Sequence, residues 1–315
     1  MTAFRKLLAA AAVALTLPLS ALAQAAAAPA AAPAPLYQVY GTLNVNVQYT
    51  EASDATAPDT NTSPRTAIST DSSNIGVRGS LDVAHGLKVV YQCETGASVD
   101  GDVGTINPCN RNSRIGVSGD WGTLFLGNWD TPFKSGHYGT KADDPFGNTD
   151  VFGFQGLMGS PGFGTKTGSF TGAAGASFDL RAANSVAYWS PKFSGVSAKV
   201  QYSVDEARSD DGVTDPLLLS GAVNFDMGGL SVVGAVEYHE DVFGIRTITG
   251  ANTTTRASKD LAWRLAAGYE LPLAGLGALT VMGMFEKLSY DQEGATDVLN
   301  DLDDASRMAW LLGAK

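Results

Sequence analysis

The chain has 315 residues, with 21 Lys and Arg against 32 Asp and Glu, and a formal net charge of -11. That balance argues against a nucleic-acid partner, whose phosphates call for basic patches. Its 36 glycines and a mean hydropathy near zero are unlike a soluble domain with a large core. They fit strands that each present one apolar and one polar face.

Arg5 and Lys6 precede an apolar run, Leu7 to Leu19, that ends near Ala21-Leu22-Ala23. A short apolar core between basic and small-residue flanks marks residues 1–23 as a secretory signal peptide, not a spanning helix. Removing its two cations makes the mature chain still more acidic. Residues 24–35, QAAAAPAAAPAP, form an Ala/Pro-rich spacer that cannot bury a core. No later segment has the roughly 18 consecutive apolar residues that a membrane helix needs, so any membrane insertion must be as a closed barrel.

Residues 36–49, LYQVYGTLNVNVQY, alternate strictly. Tyr37, Val39, Leu43, Val45, Val47 and Tyr49 project to one side of a strand, and Gln38, Tyr40, Thr42, Asn44, Asn46 and Gln48 to the other. The pattern returns at 73–82, 86–95, 112–119, 122–129, 184–190, 195–205, 217–226, 229–240, 260–271, 277–290 and 306–315, which makes twelve strands. Connections alternate between tight turns, such as 82–86 and 119–122, and long polar stretches, 50–72, 96–111, 130–183, 206–216, 241–259 and 291–305. Short turns at one end and long loops at the other predict an all-β, antiparallel, up-and-down transmembrane β-barrel over residues 36–315 in the outer membrane. Tyr37, Tyr49, Tyr91, Trp129, Tyr188, Trp189, Tyr202, Tyr238, Tyr269 and Trp310 fall near strand ends, where aromatic girdles meet lipid headgroups.

Alternation also assigns the wall. Ile75, Val77 and Leu81 face lipid, so Arg78 points inward; Ile115 and Val117 face lipid, so Arg114 points inward. The same logic turns Lys88, Glu94, Lys199, Asp226, Glu237, Arg264, Glu270 and Glu286 to the lumen. Basic and acidic wall positions balance, which leaves ion preference open. Cys93 and Cys109 bracket the 96–111 connection in an exported chain, and a hairpin would bring them together as a disulfide.

The 130–183 connection is too long to be idle. Folded into the lumen, it would narrow a channel and set Lys134, Lys141, Asp143, Asp144 and Asp150 against the wall charges. No converging nucleophile, base and oxyanion set is visible, and His85, His137 and His239 lack metal-ligand spacing, so neither an enzyme, a metal nor a cofactor is expected.

Val39-Tyr40-Gly41-Thr42-Leu43-Asn44, Asn74-Ile75-Gly76-Val77-Arg78-Gly79, Tyr91-Gln92-Cys93-Glu94, Asn112-Ser113-Arg114 and Gly122-Thr123-Leu124-Phe125-Leu126-Gly127 occur in order. With these segments the chain resembles the trimeric general porins of Gram-negative outer membranes, notably the beta-proteobacterial type. The resemblance implies sixteen strands, a homotrimer in outer-membrane lipid, passive diffusion of ions and small hydrophilic solutes, and residues 130–183 as the constricting third loop. Asn128 and Ala187 stand where such porins often carry basic residues. Lys315 falls inside a strand pattern, so the sequence predicts a barrel incomplete at its C-terminus, with about 12 strands of the sixteen present. Alternatives within this frame are a substrate-selective channel, or a barrel anchor or adhesin with a plugged lumen.

Overall fold

A computed structural model describes residues 36–52, 62–70, 72–98, 101, 107–143, 158–159, 177–204, 216–242, 258–275, 277–292 and 304–315. The expected leader and spacer, residues 1–35, lie outside them. The described chain is almost all strand: β1 Gln38–Thr42, β2 Val45–Ala52, β3 Thr62–Thr70, β4 Asn74–Ala84, β5 Leu87–Gly96, β6 Ser113–Gly119 and β7 Gly122–Asp130 precede one short helix, α1 Pro132–Ser135. Then follow β8 Arg181–Trp189, β9 Val196–Val204, β10 Leu217–Met227, β11 Leu230–Glu240, β12 Ser258–Leu273, β13 Gly277–Gln292 and β14 Asp304–Ala314. Strands β12 and β13 have 16 residues each, more than the roughly 9–11 that cross a bilayer at a tilt.

One 12-stranded sheet runs in the order β1, β4, β5 and on consecutively to β14, every pairing among the described residues antiparallel. β1 and β14 are the edges of this sheet. The expected single strand at 36–49 is instead two, because β2 leaves β1 to pair with β3 in a separate ribbon. The 50–72 connection, expected to be a loop, therefore contains a strand. Ser73 fills the break: its hydroxyl accepts from the Asn44 N–H at 2.7 Å and donates to the Asn44 carbonyl at 3.1 Å. The tight turns sit where the alternation stops. Between β4 and β5, His85 and Gly86 have φ of 53° and 76°, the paired left-handed conformation that matches hairpin twist.

Exposure separates the two faces on β10–β13. On β12, Leu261, Trp263 and Leu265 are exposed while Asp260, Ala262, Arg264 and Ala266 are buried. Val186, Val200, Val223, Val236, Phe285, Trp310 and Leu312 continue the exposed apolar band across neighbouring strands. The buried face belongs to the inner side, and residues 131–143, 158–159 and 177–180 of the chain's own long connection lie against it. Phe133 and Phe178 of that segment pack on Ala222, Ala235, Ala262, Leu288 and Tyr290. Ala142 and Met158 pack on Val233, Ala266, Met282 and Met284. A uniformly polar inner face was expected; on β10–β13 it is partly apolar because a folded segment, not water, lies against it.

Candidate functional site

The site begins where β7 ends. Thr131 caps α1, its hydroxyl accepting from the Lys134 N–H at 3.3 Å, and Pro132 takes the first helical turn, where no donor is needed. Asp130 holds the entry: its carboxylate lies 3.0 Å from Lys134 and 3.2 Å from Arg181, and accepts from Asn112 at 2.8 Å. Because Arg181 opens β8, this knot ties both ends of the segment to β6. The backbone is then fastened along the inner wall. Phe133 N–H donates to Ser220 Oγ at 2.9 Å, Lys141 N–H to Ser231 Oγ at 3.1 Å, and Asn224 Nδ2 to the Gly136 carbonyl at 2.6 Å.

Arg264 is the strongest fastener. It is 4% exposed, lies 3.0 Å from Asp179 and 2.8 Å from Glu286, and donates to the Phe133 carbonyl at 3.2 Å. Glu286 also accepts from the Gly159 N–H at 2.7 Å. One guanidinium thus grips the first and last described parts of the segment. Gly268 permits the closest approach: a Cβ there would sit 2.0 Å from the Lys141 carbonyl oxygen. Burial, with the cations Arg264 and Lys199 nearby, pulls His137 down to about 3, so it is neutral at ordinary pH. Burial pushes the Asp179 carboxyl up to about 6, the Arg264 guanidinium pulling the other way.

The β4–β7 stretch of inner wall is built differently. Arg78, Gln92 and Arg114 are register partners on adjacent strands, which puts the two arginines roughly 10 Å apart at the backbone. Arg78 donates to Gln38 Oε1 at 3.1 Å and lies 4.6 Å from the Tyr40 ring centroid. Glu94 takes a hydrogen bond from Tyr40 at 2.9 Å and an ion pair from Arg111 at 2.9 Å. Lys88 sits 3.5 Å from Asp82, both well exposed. Cys93 and Cys109 form a disulfide with a Cα separation of 4.7 Å, closing the connection beside this wall.

Of the residues singled out in the sequence, Arg78, Lys88, Glu94 and Arg114 share the inner face of β4–β6. Lys134 and Lys141 are in the folded segment, each engaged by a carboxylate, Asp130 and Glu270, the latter at 2.7 Å. Asp143 is spent on structure, its carboxylate accepting from the Gly139 N–H at 2.7 Å. Asp144 and Asp150 lie outside the described residues. Trp129 and Trp189, expected in the lipid girdle, instead point inward and pack edge-on with Phe125. Alternation carried that signal, since Thr123, Phe125, Gly127 and Trp129 fall on one side. Tyr188, also expected in the girdle, is exposed and stacks on Trp121 at 6.2 Å.

A family model for Gram-negative porins matches residues 9–315. The chain belongs to that family. It is 25% identical over 306 residues to outer membrane porin protein 32 of Delftia acidovorans, covering 87% of this chain and 81% of that one. It is 29% identical over 175 residues to the major outer membrane protein P.IB of Neisseria gonorrhoeae, covering 55% of this chain and only 44% of that protein. The match thus spans less than half the length of the gonococcal relative. The fold superposes on the anion-selective porin of Comamonas acidovorans with a TM-score of 0.65 at 23% identity, over 88% of this chain and 73% of that one. This porin is therefore a passive-diffusion channel protein of the cell outer membrane.

Proposed function

We propose that residues 131–180 form the constriction of this porin's channel, and that Arg78, Lys88, Glu94 and Arg114 line the passage beside it. The observation that supports this most is the fastening of the segment's backbone to inward-facing Ser220, Asn224, Ser231, Arg264 and Glu286. A segment held along the inner wall takes up cross-section that water and solute would otherwise occupy. Ions and small hydrophilic solutes pass the remaining gap by size and by the field of the wall charges, with no catalytic step. Asp143, Asp144 and Asp150 belong to the same constricting segment. Residues 1–23 direct export and are removed, residues 24–35 are a spacer, and the working assembly is a homotrimer.

Purified folded protein added to planar bilayers should give stepwise ion conductance, linear in solute gradient and without saturation. A protein that inserts yet stays electrically silent contradicts the channel. Flux that saturates with one solute replaces free diffusion by a substrate-selective pore. Light scattering of the detergent-solubilised protein should return three copies per particle.

A further inference from the structure

Arg114 occupies an unusual setting for a charged group on an inner wall. Its guanidinium carbon lies 4.9 Å from the Phe125 ring centroid, 4.6 Å from Trp129 and 4.7 Å from Trp189. Those rings touch one another edge-on, with centroids 5.0 to 5.4 Å apart and interplanar angles of 61°, 82° and 74°. They enclose the guanidinium so closely that Nε and Nη1 are buried with no hydrogen-bond partner among the described residues. No carboxylate pairs with Arg114 among the described residues either.

A ring face attracts a cation through its quadrupole but carries no net charge. A carboxylate partner would cancel the field of the arginine at a distance; an aromatic cage holds the arginine still and leaves that field intact. The contrast within this wall is direct. Arg264, Arg111 and Arg181 each have a carboxylate partner, whereas Arg114 has three rings. Trp189 serves a second cation, Lys199, whose Nζ lies 5.3 Å from its centroid. Arg78, two strands from Arg114, is held by Tyr40 and Gln38.

We propose that Phe125, Trp129 and Trp189 are positioning residues that cage Arg114 on the pore wall as a positive charge with no carboxylate partner among the described residues, making Arg114 a determinant of anion over cation passage. The inference rests on the channel reading above. An anionic solute meets this charge without competing for it against a built-in carboxylate, while a cation of equal size meets repulsion.

The test is the reversal potential in planar bilayers across a KCl gradient at low ionic strength, with single-channel conductance as the companion readout. A unit charge about 4 Å from an ion's path in water changes local ion concentration about fivefold, so Arg114→Gln should lower the anion-to-cation permeability ratio by a comparable factor. Arg114→Lys should restore most of it. Trp129→Leu combined with Trp189→Leu should lower the ratio part of the way, because a released guanidinium is free to turn toward Glu94. The differences should vanish near 1 M salt, where screening acts within about 3 Å. If the wild type conducts and Arg114→Gln leaves the reversal potential unchanged, the proposal is wrong and the channel reading stands. A double tryptophan variant that loses stability but keeps wild-type selectivity overturns the cage's role as well. A wild type that never conducts overturns both.

Discussion

Arg264 on β12 and Arg114 on β6 are both arginines on the inner face of one sheet, yet they are held by opposite chemistry. Arg264 is sealed among Asp179, Glu286 and the Phe133 carbonyl, under a segment that also buries Phe133 and Phe178. Arg114 is sealed among three rings. Charge on the β10–β13 wall is consumed in fastening the segment; on the β4–β7 wall Arg78 and Arg114 are held by rings and an amide instead, and in the proposal above Arg114 acts on whatever passes. A lumen-facing charge read from alternation alone cannot distinguish these fates.

The largest expected effect comes from breaking the clamp. Arg264→Met leaves Asp179 and Glu286 as buried carboxylates without a cation, at a cost of about 3–5 kcal/mol, measurable by denaturant unfolding in detergent. Adding Asp179→Asn and Glu286→Gln should recover most of the loss, whereas Arg114→Met should cost far less. On the other wall the covalent fastening is next. Cys93→Ser with Cys109→Ser should lose about 3 kcal/mol while leaving conductance at its wild-type value.

Gly268→Ala probes the close approach of the segment to β12. Its Cβ collides with the Lys141 carbonyl, so about 1–3 kcal/mol of strain is expected, together with a changed single-channel conductance as the segment shifts. Gly86→Ala, in the β4–β5 turn where the added Cβ meets open space and only the left-handed backbone resists it, should leave conductance alone. The smallest effect at neutral pH is acid sensitivity, which builds up only as pH falls. His137 stays neutral in the fold down to about 3, while in the unfolded chain it takes up a proton near its ordinary value of about 6.5. At this residue the unfolded state thus binds more protons between those values, and the His137 contribution lowers stability as pH drops through that window by at most about 1.4 kcal/mol per pH unit, against the opposite contribution of Asp179 below about pH 6. His137→Gln should remove that slope, and a pH series of unfolding midpoints checks it.

Much of this was legible in the sequence because strand geometry has a period of two. Alternation placed Arg78, Arg114, Lys199, Arg264 and Glu286 on the inner face, and loop length marked 130–183 as the segment to watch. It did not reveal that β2 parts from β1, since the break depends on Ser73, just before β4, bridging Asn44. Nor did it show that small and apolar inner positions such as Ala222, Ala262, Ala266 and Gly268 are a docking surface, because that needs the partner segment in three dimensions. Trp129 and Trp189 were misplaced for a different reason. Both lie near strand ends, yet alternation sets them on the inner side, and aromatic rings serve both a lipid interface and a cation.

A constriction built by residues 131–180 is tested most directly by single-channel conductance in planar bilayers, measured for the wild-type protein and for a chain lacking residues 135–180. It predicts larger conductance steps from the shortened chain, because the fastened segment no longer occupies the lumen. Steps of unchanged or smaller size from a folded, inserted deletion protein would contradict it.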